Sequence, residues 1–280
     1  MRSAIRPERF TRAFVGLLCA CLAGPVFAQA FPTKNVRIVV PFPAGGSIDA
    51  IARQLAQKYT EAFSRSVLVD NRPGAGTNIG AELVAKAAPD GHTWLMNSTS
   101  QAISAALYKN LGYDPEKDLA PVTPLMTNIL VFVVASKVSA QSMKELMAQM
   151  RAQPGGLNFG TTGIGSGNHI AMEMFLQAAG LKAVHVPYKG DVGLFPGLIA
   201  NDVQIAFAPS QSTVAHAKAG RVRALAVASP RRSPALDVPT VAEASGLSNY
   251  EYSGWTSLFT TAGTPREVPH SAQRAATRYS

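Results

Sequence analysis

The sequence predicts an α/β protein of two domains, each a mainly parallel sheet covered by helices, with a ligand cleft between them. Three observations carry this reading. Short β-branched runs alternate with segments of helical periodicity. Gly-rich turns join strand to helix three times, at residues 43–49, 72–78 and 160–168. Once an N-terminal leader is set aside, about 250 residues remain, enough for two sheets of ordinary size.

Val36-Arg37-Ile38-Val39-Val40 reads as a buried strand, and Ile48, Ile51, Leu55, Tyr59 and Phe63 recur at helical spacing behind it. Ser47 is placed to cap that helix, and Asp49 lies in its first turn, where a negative charge suits the dipole. The unit repeats as Val67-Leu68-Val69 leads through Asn71-Arg72-Pro73-Gly74-Ala75-Gly76 into a helix carrying Ile79, Leu83 and Val84. Thr93 to Met96 is a third strand, ending at Asn97-Ser98-Thr99-Ser100. Pro115, Pro121 and Pro124 mark a passage where the chain is expected to cross to the second domain, near 120–126.

The second domain opens with the strand Leu130 to Val134 and a helix begun by a capping box, Ser142 to Glu145. Asn158-Phe159 then runs into the Gly-rich turn 160–167 and a helix with Ile170, Met174 and Ala178 on its apolar face. Val184 to Val186 is a strand ending at Pro187-Tyr188-Lys189-Gly190, and Val203 to Ala208 and Ala224 to Val227 are further strands. A return crossing is expected near 222–230. The division is therefore 29–123 and 227–280 for the first domain and 124–226 for the second.

The leader is residues 1–28. Arg2, Arg6, Arg9 and Arg12 precede the apolar stretch Phe14 to Ala23, and Val26-Phe27-Ala28 is a small-residue cleavage signature. This is the pattern of a secretory signal peptide cleaved after Ala28, with a lipoprotein anchored at Cys21 as the lesser alternative. The two cysteines, Cys19 and Cys21, both fall inside it, so the mature chain has no thiol for disulfides, thiolate catalysis or Cys-type zinc sites. Removing four Arg and one Glu takes Lys+Arg from 26 to 22 and Asp+Glu from 17 to 16, leaving a net charge of +6. That field favours anions. Nucleic acid is not an expected partner, because no basic stripe interleaves with aromatic residues.

The three Gly-rich junctions are where binding chemistry is expected. Glycine lets backbone N–H groups turn toward a ligand, and the helix start adds partial positive charge, so such loops hold carboxylates or phosphates. In open α/β sheets ligands sit at the carboxyl ends of the strands, where all three loops fall. The alternative for each loop is a tight turn and nothing more. Enzyme motifs fail residue by residue. Gly163 and Gly165 would need a third glycine at 168 for a dinucleotide fingerprint, and Asn168 stands there. A nucleophile elbow around Ser166 would need glycines where Ile164 and Asn168 stand. The histidines show no paired-ligand spacing, so no metal or other cofactor is expected. His169 alone merits attention, in the first turn after the 160–168 loop. Tyr188 reads either as a pocket wall or as a surface residue, and Asp49 either as a ligand contact or as a cap.

Three blocks together resemble the substrate-binding proteins of tripartite tricarboxylate transporters, the Bug-type receptors. They are Pro41-Phe42-Pro43-Ala44-Gly45-Gly46-Ser47-Ile48-Asp49, Asp70 to Gly80, and Pro89-Asp90-Gly91-His92-Thr93. Gly160 to His169, Val186 to Gly190, Gly254-Trp255 and Gly263-Thr264-Pro265 continue the likeness. The resemblance implies a two-lobe periplasmic binding protein fold without catalysis, closing on a small organic carboxylate and delivering it to membrane permease subunits; a monomer is expected. The alternatives are a carboxylate sensor presenting its closed form to a signalling partner, or a truncated, non-binding member. The ligand-binding residues it implies are Ala44, Gly45, Gly46, Ser47, Ser98, Thr99, Thr161, Thr162, Gly165, Ser166 and His169, to which the residue-level reading adds Asp49 and Tyr188. Two departures stand out. Ala208 occupies a position where many members carry Asp, and after Pro265 the family pattern gives way, with Pro269 expected to cut the next helix and the first lobe to lack its last elements.

Overall fold

The computed structural model describes residues 31–277, so the expected leader lies outside the described residues. Two five-stranded sheets form the frame, in the orders β2-β1-β3-β10-β4 and β7-β6-β8-β5-β9. The first contains β1 (Val36–Val40), β2 (Val67–Asn71), β3 (Thr93–Ser98), β4 (Leu119–Asn128) and β10 (Gly254–Thr261). The second contains β5 (Leu130–Ala135), β6 (Asn158–Thr161), β7 (Val184–Pro187), β8 (Ile205–Pro209) and β9 (Val222–Val227). Each sheet is mixed, where mainly parallel sheets were expected. β1 pairs in parallel with β2 and β3, but β10 runs antiparallel to β3 and β4; β6 pairs in parallel with β7 and β8, but β5 runs antiparallel to β8 and β9.

Helices cover both sheets. Those of the first lobe are α1 (Ser47–Phe63), α2 (Asn78–Ala85), α3 (Ser100–Leu107) and the closing α9 (Glu267–Thr277). The second lobe carries α4 (Met143–Ala152), α5 (Gly167–Ala179), α6 (Asp191–Ala200), α7 (Ser210–Lys218) and α8 (Val241–Ser245). The expected apolar stripe of α1 does face its sheet, where Tyr59 packs edge-on to Trp94 and stacks on Phe63. Each lobe has its own core. Phe132, Phe175, Phe207 and Tyr250 form one side of the second-lobe core, and Val131, Leu194 and Val227 the other.

The crossings lie elsewhere than the prolines suggested. β4 continues in the first sheet to Asn128, so the chain passes over at Ile129 and enters β5 at Leu130. Pro121 and Pro124 lie within β4, which is tolerated because β4 is an edge strand with no neighbour on one side, and its register with β10 breaks twice. On the return, Tyr250 and Tyr252 still belong to the second-lobe core, and Gly254 begins β10. The passage back is therefore 252–254 instead of 222–230.

Pro269 does not cut a helix. It is the third residue of α9, inside the first turn, where the backbone N–H has no helical partner to lose. α9 docks on the first lobe through buried Val268 and Ala272; Tyr59 donates to the Ala272 carbonyl at 3.1 Å, and Gln273 donates to the Val122 carbonyl at 2.6 Å. Ala208 is fully buried beside Val131 and Val227, in the core behind β8. Among the described residues, no helix is long and apolar enough to cross a membrane.

Candidate functional site

The first Gly-rich loop is held in shape from beneath by Asp49. Its carboxylate is almost fully buried and accepts from Gly45 N–H at 2.9 Å, from Arg53 Nε at 2.9 Å and from Asn71 Nδ2 at 2.9 Å. Burial pushes this carboxyl up, but the bonds from Arg53, Gly45 and Asn71 outweigh it and hold the group below its ordinary value. Asp49 thus ties loop 43–49 to the end of β2 and is turned away from the cleft. Gly46, not Ser47, is the N-cap of α1.

The 160–168 loop is organised by Asn168, the residue that spoils both enzyme motifs. Its Oδ1 accepts from Thr162 N–H at 3.3 Å and from the hydroxyls of Thr162 and Ser166 at 3.0 and 2.5 Å, while Nδ2 donates to the Phe207 carbonyl at 2.9 Å. Behind the loop His169 stacks on His185 at 4.2 Å between ring centres, and His185 stacks in turn on Phe159. Gly165 N–H donates to His169 Nδ1, and the Thr161 hydroxyl lies 2.7 Å from His185 Nε2. Burial, then the neighbouring His169, pushes His185 down from the ordinary 6.5 to about 4. Burial lowers His169 as well, against an opposing effect of Glu173.

Between the lobes lies a cavity of about 80 Å³ that opens into a broader one of about 330 Å³; the two share Phe42, Ser100, Thr162, Ser166 and Gly190. The N-caps of five helices line the smaller cavity: Gly46 of α1, Thr99 of α3, Ser166 of α5, Gly190 of α6 and Pro209 of α7. None of the five uses its side chain as a cap. Five partial positive charges thus converge on one space, and no Lys or Arg lines it. Phe42, Ile48, Ile51, Leu130 and Tyr252 give it an apolar wall. Tyr252 is 8% exposed, and its hydroxyl, with the Thr99 side chain within reach, makes no hydrogen bond of full geometry among the described residues. A buried donor of that kind is costly unless a ligand or water completes it.

Of the expected site residues, Gly46, Ser47, Ser98, Thr99, Thr162 and Ser166 line the smaller cavity, and Tyr188 walls the broader one beside Lys189. The others do not. Ala44 and Gly45 are exposed outside it, Asp49 and Thr161 are buried in supporting hydrogen bonds, Gly165 packs across the lobes against Leu107 and Tyr108, and His169 accepts from the Gly165 N–H and braces the loop. Sequence reasoning missed Asn128, Asp191, Gln211 and Tyr252, all of which line the smaller cavity. Asn128 ends a strand, and Asp191 and Gln211 lie in the first turn of a helix, the setting that singled out the Gly-rich loops, but without glycine clusters to draw attention. Among the described residues no group of three or more His, Cys, Asp or Glu is placed to hold a metal ion.

Two lobes, a cleft between them and helix starts pointing into it define the class of two-lobe periplasmic binding proteins. The model of the tripartite tricarboxylate transporter family receptor matches residues 51–280, and the chain belongs to that family, whose members are solute-binding receptors and not enzymes. Protein BugT of Bordetella pertussis is 35% identical over 265 residues, covering 91% of this chain and 80% of BugT. Among solved structures, Rpa4515 of R. palustris with adipate superposes at a TM-score of 0.85 with 32% identity, over 88% of this chain and 83% of that one. MatC of Rhodopseudomonas palustris with bound malate superposes at 0.83 with 28% identity, over 89% and 85%.

Proposed function

We propose that this protein is an exported receptor that captures a small organic carboxylate in the interlobe cavity and hands it to the membrane permease subunits of a tripartite tricarboxylate-type transporter. The observation that carries the reading is the convergence of five side-chain-free helix N-caps on a cavity without a basic residue. Neutral N–H donors suit a receptor that must release what it binds: an unpaired Arg in an empty cleft would cost several kcal/mol, whereas backbone N–H groups at a helix start are readily rehydrated. Adipate and malate, the acids held by two structural relatives, support the carboxylate class. The residues we assign to contact are Gly46, Ser47, Ser98, Thr99, Thr162 and Ser166, with Tyr252 supplying a hydroxyl and Tyr188 closing one side.

The test is a thermal-shift screen against di- and tricarboxylates, amino acids and aromatic acids, with phosphate and nucleotides as controls. An acid at about 100 times its Kd adds about 2.7 kcal/mol, a rise of several degrees for a chain of this size. A rise with one class of acid alone supports the reading. A clean cooperative melt that no acid moves overturns it.

A further inference from the structure

The smaller cavity contains one charged side chain, and it carries the same sign as the expected ligand. Asp191 opens α6 on the second lobe, yet its carboxylate lies at the start of α1 on the first. Oδ2 accepts from the Ser47 N–H at 3.0 Å and from the Ser212 hydroxyl at 2.6 Å. Oδ1 accepts no hydrogen bond from any described residue. It rests against Gly46, where an added Cβ would stand 2.5 Å away, so glycine at 46 is what leaves room for this oxygen. No Lys or Arg lines this cavity; on its other side Asp191 borders, with Ser212, a crevice that also holds His216 and Arg221.

The cavity therefore has two unlike poles. At one, the start of α5 presents the Gly167 N–H, and the hydroxyl residues Ser98, Thr99 and Ser100 line the start of α3, where the Thr99 and Ser100 N–H groups already donate to the Trp255 carbonyl and to Ser98 Oγ. The Tyr252 hydroxyl belongs to this pole, near Thr99 and against Gly167, whose lack of a Cβ leaves it room. At the other, the start of α1, a carboxylate of the protein itself already answers the helix dipole and offers a free acceptor oxygen. A diacid would place its second charge next to Asp191, where like charges repel in a partly desolvated site. An N–H donor there would instead complete Oδ1.

Building on the carboxylate-receptor reading, we propose that Asp191 sets the ligand class: the site takes a carboxylate at the α3 and α5 starts and an ammonium group at Asp191 Oδ1, so amino acids bind in preference to the matching diacids. Ser212 and the Ser47 N–H fix the Asp191 carboxylate in this position.

The test is titration calorimetry on four-, five- and six-carbon frames, each as plain monoacid, α-amino acid, ω-amino acid and α,ω-diacid. The wild-type protein is expected to bind an amino form at least tenfold more tightly than the monoacid and the diacid of the same frame. Asp191→Asn, which keeps an oxygen for the Ser47 N–H but removes the charge, is expected to narrow that gap to under threefold. A diacid or plain monoacid binding the wild type as tightly as the best amino form overturns the proposal while the carboxylate reading stands, and this ranking needs no variant. An amino preference unchanged in Asp191→Asn also overturns it. If no member of the panel binds, the carboxylate reading fails first and takes the proposal with it.

Discussion

Asp49 and Asp191 are two carboxylates at helix starts with opposite fates, and the difference lies in what reaches them. Asp49 has a backbone N–H, an amide and a guanidinium around it and leaves nothing for a ligand; Asp191 lines the cavity, and its Oδ1, packed against Gly46, accepts no bond from a described residue. Asp49→Ala should therefore act on stability more than on specificity. It removes three hydrogen bonds from a buried site, leaving the Gly45 N–H without its acceptor and Asn71 Nδ2 with only the Phe42 carbonyl, which should cost about 2–4 kcal/mol. Urea unfolding at neutral pH checks this, and a loss below about 0.5 kcal/mol would show that Arg53 and Asn71 find other partners. At this scale the sequence was ambiguous for a physical reason: a first-turn Asp serves a helix dipole equally well whether or not a ligand is near, and only the partners decide.

Helices and strands were legible wherever local patterning agrees with burial. β1 and α1 stand out through Val36–Val40 and the spacing of Ile48, Ile51, Leu55 and Tyr59, and Pro placement was the main source of error. Pro121 and Pro124 hid β4 because a proline argues against a strand only where both edges are paired, and edge position is a property of the sheet. Pro269 gave the opposite error, since it falls in the first turn of α9 and leaves that helix intact. The loop between β6 and α5 yields a prediction of its own. It is braced by stacked His169 and His185, and His185 titrates near 4 in the folded chain against an ordinary 6.5. The unfolded chain thus takes up the proton first as pH falls, so stability should be constant above about 6.5 and decline between 6.5 and about 4. His185→Phe keeps the stack on Phe159 and should flatten that decline in a series of melts; an unchanged slope would place the pH sensitivity elsewhere.

At the scale of the molecule, the sequence indicated two α/β lobes but not where the chain passes between them, because the passages at 128–130 and 252–254 are set by which core Ile129 and Tyr252 join and by no local signal. The resulting lobes differ in continuity. The second, from Ile129 to Tyr252, is one uninterrupted segment with its own cores, whereas the first is completed only when β10 pairs between β3 and β4. A fragment of residues 129–252 should accordingly fold alone with a cooperative urea transition, and a fragment of residues 31–128 should not. Cooperative folding of the latter by circular dichroism would show that β1, β2 and β3 suffice without their antiparallel neighbour.

The position of β10 also imposes an order on synthesis. Met96 of β3 meets Leu258 of β10 across a separation of roughly 160 residues, so the edge of β3 waits for its partner until the whole second lobe has been synthesised. During that interval Trp94, Leu95 and Met96 have no finished sheet to enter, while the second lobe can already be complete. A nascent chain that has reached Tyr252 is thus a folded insert beside an unfinished first lobe, and it is β10 that ties β3 to β4.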